Sequence, residues 1–208
     1  MIRGYHVIFG SYGFWLPNDP RGSWSEFVAA WELRRFGEAT KTLERKSFQE
    51  LTVRERNWLA AARNSLKYPQ VHFEAPHIEA IANGFAKRVT SSGYEIWECS
   101  ILSEHVHLVI GRHRYRVELM AGLLKGEATK EFRRRGVHPL AEYANEPGEP
   151  PSPWADGMWK VYFYNELSIE SAINYVRHNP EKEGKPRRSW QFVRPFTGID
   201  SGVVSLNP

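Results

Sequence analysis

The stretch YEIWECSILSEHVHLVI, Tyr94 to Ile110, decides the fold. Tyr94 to Ser100 is rich in aromatic and β-branched residues and reads as one strand. Ile101 to Ile110 reads as the next, with Glu104 near the turn between them, so a hairpin is the economical arrangement. Side chains alternate along a strand, which places His105 and His107 on one face and Val106, Leu108 and Ile110 on the other. Two imidazoles on one face can both reach a divalent ion, or they can be polar residues on an exposed sheet face. The H-x-H pattern alone leaves both open.

On the N-terminal side, Ile2 to Tyr12 (IRGYHVIFGSY) predicts a first strand, followed by the turn-forming run Pro17 to Ser23. About residues 23–70 carry no second strand signal, but Thr52-Val53-Arg54-Glu55 has the form of a capping box opening a helix to about Leu66. That stretch reads as a helical insertion. Pro76 to Thr90 carries Ile78, Ile81, Ala82 and Phe85 at helical spacing and is stopped by Ser91-Ser92-Gly93. On the C-terminal side, Val117, Met120, Leu124, Ala128 and Phe132 line one stripe of a helix reaching about Arg134, ended by Gly136. Trp159 to Tyr164 predicts a fourth strand. Ser168 is the expected cap of a last helix that runs to about His178 and stops at Pro180. Without the insertion and the last helix, the order is βαββαβ, the ferredoxin-like plan of an α+β domain with a four-stranded antiparallel sheet.

With 208 residues and 41% hydrophobic content, one domain with a substantial core is expected, residues 1–208, ending in a basic extension from about 182 to 208. No run of 18 apolar residues is present and MIRGYHVIF lacks the pattern of a signal peptide, so a cytoplasmic, nucleoid-associated protein without membrane partners is expected. Cys99 is the single cysteine, which excludes an intramolecular disulfide framework and any cysteine-rich zinc site. A metal here would need histidine and oxygen ligands.

The formal net charge is +4, and its distribution is more informative than its size. From Arg112 to Arg135, eight basic residues face three acidic ones, Glu118, Glu127 and Glu131. A second cluster, Lys182, Lys185, Arg187, Arg188 and Arg194, follows near the C-terminus. Tyr115, Phe132, Trp190 and Phe192 are interleaved with these cations, a combination suited to single-stranded nucleic acid, whose phosphates meet Arg and Lys while its bases stack on rings. Arg112, Arg114, Lys125, Arg133 and Arg134 are the candidates for a phosphate-tracking surface, with Arg187 and Arg188 as a second contact.

The last helix contains Tyr175-Val176-Arg177-His178-Asn179. Positions i and i+4 share a helical face, so the Tyr175 phenol and the Asn179 amide can converge on one point. Ile169, Ala172, Ile173 and Val176 form the core stripe, with Tyr175 at its edge. A helical tyrosine can also simply pack its ring and wet its hydroxyl, and Asn179 can be an ordinary helix-end residue.

His105-Val106-His107 in a strand, then a helix with Tyr175-x-x-x-Asn179 followed by Pro180, resembles the HUH endonuclease superfamily, specifically its single-tyrosine transposases, and most closely the REP-associated tyrosine transposases, in which Y-[VI]-x-x-N-P is typical. The run YHVIFGSYGFWLPNDPRGSW, Tyr5 to Trp24, is similar to the opening of one subgroup, and the likeness takes in Leu124-Lys125 and Thr129. Two segments differ: Leu102-Ser103-Glu104 stands where many relatives have a Met-Pro-Asn-like tripeptide, and EKEGKPRRSW after Pro180 is more basic than the family's usual continuation. The resemblance implies that Tyr175 is a nucleophile forming a 5′-phosphotyrosine, and that His105, His107 and Asn179 hold one Mg²⁺ or Mn²⁺. It also implies a partner in single-stranded DNA that forms hairpins, and a protein acting as monomer or homodimer. Two rival readings are a non-catalytic ferredoxin-like module binding single-stranded nucleic acid on its sheet face, and a metal-dependent hydrolase of small substrates that leaves Tyr175 idle.

Overall fold

The computed structural model describes residues 1–14, 16 and 50–199. The run Pro17 to Ser23 and the first part of the expected insertion, residues 23–49, lie outside the described residues. The elements in chain order are β1 (Gly4–Gly10), α1 (Val53–Asn64), α2 (Ala75–Ser92), β2 (Ile96–Ile101), β3 (His105–Gly111), α3 (Val117–Arg135), β4 (Trp159–Phe163) and α4 (Glu166–Lys182), with a short 3₁₀ turn at Ala141–Tyr143. The strands form one antiparallel sheet in the order β2-β3-β1-β4. This is the expected βαββαβ arrangement, with the hairpin β2-β3 on one side and the central pair β3-β1 fully buried.

The two faces of the sheet bury different things. Tyr5, Val7 and Phe9 of β1 and Val106, Leu108 and Ile110 of β3 point toward α2 and α3 and join Phe85, Leu124 and Phe132 in the main core. The helices cross closely at Gly84, where a Cβ would come within 2.6 Å of the Ala128 backbone. Beside this crossing Glu131, 2% exposed, is bound by Lys87, Arg134 and Arg135. The Arg134 hydrogen bonds and the Lys87 ammonium hold its carboxyl down at about 2.

The opposite face receives α4. Ile169, Ile173 and Val176 pack on Trp97, Val109 and Phe163 from three different strands. Trp97 reaches this position because the β2-β3 register shifts between Ile96 and Glu98, making it the extra residue of a bulge. Its ring lies across Gly4 and Gly111, where added Cβ atoms would approach it to 2.7 and 3.1 Å. Arg177 Nε donates to Glu98 Oε2 at 2.9 Å, tying α4 to β2.

Four of the boundaries that differ from expectation bear on the site. Ile101 ends β2 instead of starting β3, and the turn is Leu102 to Glu104, closed by Leu102 N–H donating to His105 O at 2.9 Å. His105 is therefore the first residue of its strand. The first strand is shorter than Ile2 to Tyr12: Gly4–Gly10 pairs with β3, and β4 covers only Gly4 to Ile8 of it. The cap of α4 is Asn165, whose side chain accepts from Ser168 N–H at 2.9 Å, so Ser168 is the capped residue and not the cap. Pro180 does not stop α4, which runs through it to Lys182. Proline removes one helical hydrogen bond, but Asn179 and Pro180 are both buried, and that packing keeps the turn helical.

The Thr52/Glu55 capping box of α1 forms as expected. α1 carries a small core of its own, Leu51, Leu59 and Ala62 with Leu16. After α4 the chain returns along the outer edge of β2, where Arg194 N–H donates to Ile96 O at 2.8 Å and Val193 bridges Ile96.

Candidate active site

Three histidines share the sheet face under α4. His105 and His107 come from β3 and His6 from β1, and strand alternation sends all three away from the main core. The rings of His105 and His107 are 4.8 Å apart between centroids. His6 Nε2 lies 3.0 Å from His107 Nδ1, and the two rings are stacked at 25°. Burial lowers the pKa of His6 to about 4, so its ring is neutral near pH 7. Phe14, just beyond β1, stacks on His105 with planes 24° apart.

α4 brings the remaining groups. The Tyr175 ring contacts His107 and His6, with centroids 5.9 and 5.8 Å away. Two turns later, Glu183 Oε1 is 3.7 Å from His105 Nε2. Tyr175, Asn179 and Glu183 follow at intervals of four and therefore lie on one helical stripe. Asn179 is bracketed between a residue that touches His107 and one that touches His105. It is 6% exposed, and its Nδ2 has no hydrogen-bond partner among the described residues; the same is true of Ser100 Oγ, from the residue paired with His107 across the hairpin. A buried amide NH₂ without a partner costs free energy, and the oxygen of the same carboxamide is a donor atom that a cation can use. Lys182 places its ammonium 4.2 Å from the Tyr175 ring centroid.

These residues fit a single divalent ion held by two imidazoles and an amide oxygen, a donor set of borderline softness that suits Mn²⁺ and accommodates Mg²⁺. Among the described residues no three His, Cys, Asp or Glu side chains converge well enough to hold a metal by themselves. A metal on this face would need a donor from outside that set, such as the Asn179 amide oxygen.

The proposed phosphate contacts are spread more widely. Arg112 and Arg114 follow the far end of β3, about 17 Å or more along the strand from His107 at ~3.3 Å per residue. Arg114 stacks on Tyr115 there. Arg133 and Arg134 end α3 in the other layer, where they pair with Glu149 and Glu131. Lys125 is turned inward: its ammonium donates to Ala155 O at 2.9 Å and Gly157 O at 2.8 Å, and burial lowers its pKa to about 8. Together with Thr129, which accepts from Trp154 Nε1 at 3.1 Å, it pins the loop that leads into β4. Arg187 and Arg188 alone stand on the side of the histidine face. They line a cavity of about 460 Å³ with Trp97, Ser100, Arg177 and Trp190.

The sequence does not mark His6, Ser100 or Glu183 as site residues, and it marks Lys182 only as a member of the C-terminal basic cluster. His6 was the most accessible of them, since YHVIFG shows one histidine in an otherwise apolar strand, the same anomaly that marks His105 and His107.

No protein-family model matches the chain, and no curated protein matches it either. Among solved structures, it is similar to a REP-associated tyrosine transposase bound to a REP hairpin, at 10% identity and a TM-score of 0.45, covering 88% of this chain and 68% of that one. It is also similar to a protein of Deinococcus radiodurans R1 assigned as a transposase, at 11% identity and a TM-score of 0.36, covering 85% of this chain and 90% of the other. No helix among the described residues is long and apolar enough to cross a membrane.

Proposed function

We propose that this protein is a metal-dependent single-stranded DNA endonuclease and strand transferase of the HUH type, acting at or near DNA hairpins through Tyr175. The observation that carries the reading is the docking of α4 on the histidine face, which sets the Tyr175 ring against His107 and Glu183 near His105, with the buried Asn179 between Tyr175 and Glu183 along the helix. The reading treats residues 1–208 as one such domain, with about 23–70 inserted and about 182–208 appended.

In this reading Tyr175 Oη attacks the scissile phosphorus in line with the 3′ oxygen. The P–O3′ bond breaks as the Tyr–O–P bond forms; the phenol gives up its proton and the departing 3′ oxygen takes one up. A 5′-phosphotyrosine and a free 3′-hydroxyl result, and because the phosphoester is conserved, attack by a 3′-hydroxyl can rejoin DNA and release Tyr175. His105, His107 and Asn179 would hold the Mg²⁺ or Mn²⁺, which when bound polarises the phosphate and eases departure of the 3′ oxygen. Ile173 and Val176 fix α4 on the sheet and hold Tyr175 in position. Arg187 and Arg188 would carry the flanking strand past Trp190.

α4 also bears on the chief rival. A non-catalytic module of the RNA-recognition kind binds on an open sheet face, whereas here one face is filled by α2 and α3 and α4 packs on the other.

The test is to incubate the protein with labelled single-stranded hairpins and Mn²⁺ and resolve the products on a denaturing protein gel. A labelled adduct is expected, absent in Tyr175→Phe although that variant still binds DNA. Absence of any adduct from the unmodified protein across varied hairpins would overturn the reading.

A further inference from the structure

His6 has no part in the chemistry above, yet it touches both ends of it. Its ring is tilted 25° from that of His107, with Nε2 at 3.0 Å from His107 Nδ1, and it meets the Tyr175 ring at 63°. The edge contact with Trp159 of β4, at 5.5 Å and 87°, helps fix its orientation. At 7% exposure it is not available to bulk water.

Two neutral imidazoles joined by one N···N hydrogen bond have two arrangements. If His6 Nε2 carries the proton, His107 accepts on Nδ1 and its own proton sits on Nε2, so neither nitrogen of His107 can ligate while the bond persists. If His107 Nδ1–H donates, His6 accepts on Nε2 and the lone pair of His107 is at Nε2. Only the second arrangement keeps the observed contact and allows His107 to bind a cation. We infer that His6 is a positioning residue that accepts a hydrogen bond from His107 Nδ1, selecting the Nδ1–H tautomer and aiming the Nε2 lone pair of His107 toward the metal. The inference rests on the proposed role of His107 as a ligand.

The choice of acceptor has a consequence for the chemistry. Partners of ligating histidines are often carboxylates, which orient the ring and add negative charge near the metal. An imidazole from the neighbouring strand orients the ring without that charge. More of the cation's positive charge is then available to an anionic phosphodiester, which suits phosphoryl transfer better than a site that has already neutralised its metal.

The tautomer can be read directly by two-bond ¹H–¹⁵N correlation spectra of the imidazoles in the full ¹⁵N-labelled chain at neutral pH, without metal or DNA. His107 is expected as Nδ1–H in the unmodified protein. His6→Phe removes the acceptor and should shift His107 toward Nε2–H, with Mn²⁺ affinity measured calorimetrically falling about 10- to 100-fold. His6→Gln, which offers a carbonyl oxygen near the former Nε2, should recover most of that affinity. An Nε2–H His107 in the unmodified protein would overturn the inference whether or not any variant folds. So would a folded His6→Phe binding Mn²⁺ within twofold of the unmodified protein, or a loss in His6→Gln as complete as in His6→Phe, which would make His6 a ligand itself. An Nδ1–H His107 in a protein that forms no DNA adduct would support the tautomer selection while overturning the nuclease reading.

Discussion

His107 and Leu108 are neighbours in sequence and belong to different halves of the molecule. Leu108 faces α2 and α3 in a layer of aliphatic and aromatic side chains. His107 faces α4 among His6, His105, Ser100 and Asn179, all buried, two of them with polar atoms lacking partners among the described residues. Each such atom costs about 1–3 kcal/mol. The apolar face supports the fold, while the polar face sacrifices stability for a set of groups that converge under one helix.

The sharpest way to break this comparison is to exchange the effects of the two faces. Tyr175→Phe should reduce adduct formation at least about 10³-fold, as expected on removing a covalent nucleophile. Its Tm, read by thermal denaturation, should stay within about 2 °C. Leu108→Ala should do the reverse: a loss of about 3 kcal/mol, or roughly 6–12 °C in Tm, with adduct formation per folded molecule unchanged within twofold below the transition. Comparable loss of adduct in both variants would show that the faces are not functionally separate.

A smaller effect sharpens the division with pH. His6 on one face and His138 under the other are both held at about 4, against 6.5 for a free imidazole. Burial is the main cause in each, and His138 Nδ1 also accepts from Leu140 N–H at 3.2 Å. Between pH 6.5 and 4 the unfolded chain binds more protons than the folded one, so stability rises with pH across that window and is lost as pH falls through it. The loss should be on the order of 3 kcal/mol for each histidine. His138→Asn should flatten the acid limb of a Tm-against-pH curve without changing adduct yield at pH 7.5; an unchanged limb would refute the assignment. Glu131 acts in the same sense at lower pH, its contribution disappearing from about 4.5 toward about 2.

The smallest effect concerns DNA. Arg188→Ala should lower the salt slope of single-stranded DNA binding, log K against log[salt], by about 0.7, one phosphate contact. Arg114→Ala, at the far end of β3, should change it less if the strand is bound near Tyr175. Fluorescence anisotropy over a salt series measures both.

Much of this was legible in the sequence because it depends on local periodicity. The alternation in HVHLVI separates His107 from Leu108, and the stripe in α3 needs only a period of 3.6. What was not legible depends on contacts between distant segments. Proline punctuation ends a helix at Pro180 when only its neighbours count, and burial against the sheet overrides it. His6 becomes notable only when β1 is known to pair with β3, a hundred residues away in sequence. The basic residues from Arg112 to Arg135 form one cluster along the chain, but the structure distributes them between the far end of a strand and the far layer of the fold. Lys125 looks like any surface cation until two loop carbonyls are placed on it.

The chain from Trp190 to Phe196 passes the start of β2, donating one backbone hydrogen bond to Ile96 and laying Phe196 against Trp97. It occupies the edge through which a sheet can be extended by a strand from another molecule. A second copy cannot pair with Ile96 at the start of β2 while this strip is in place. Extension of the sheet from that end of β2 must first displace this strip.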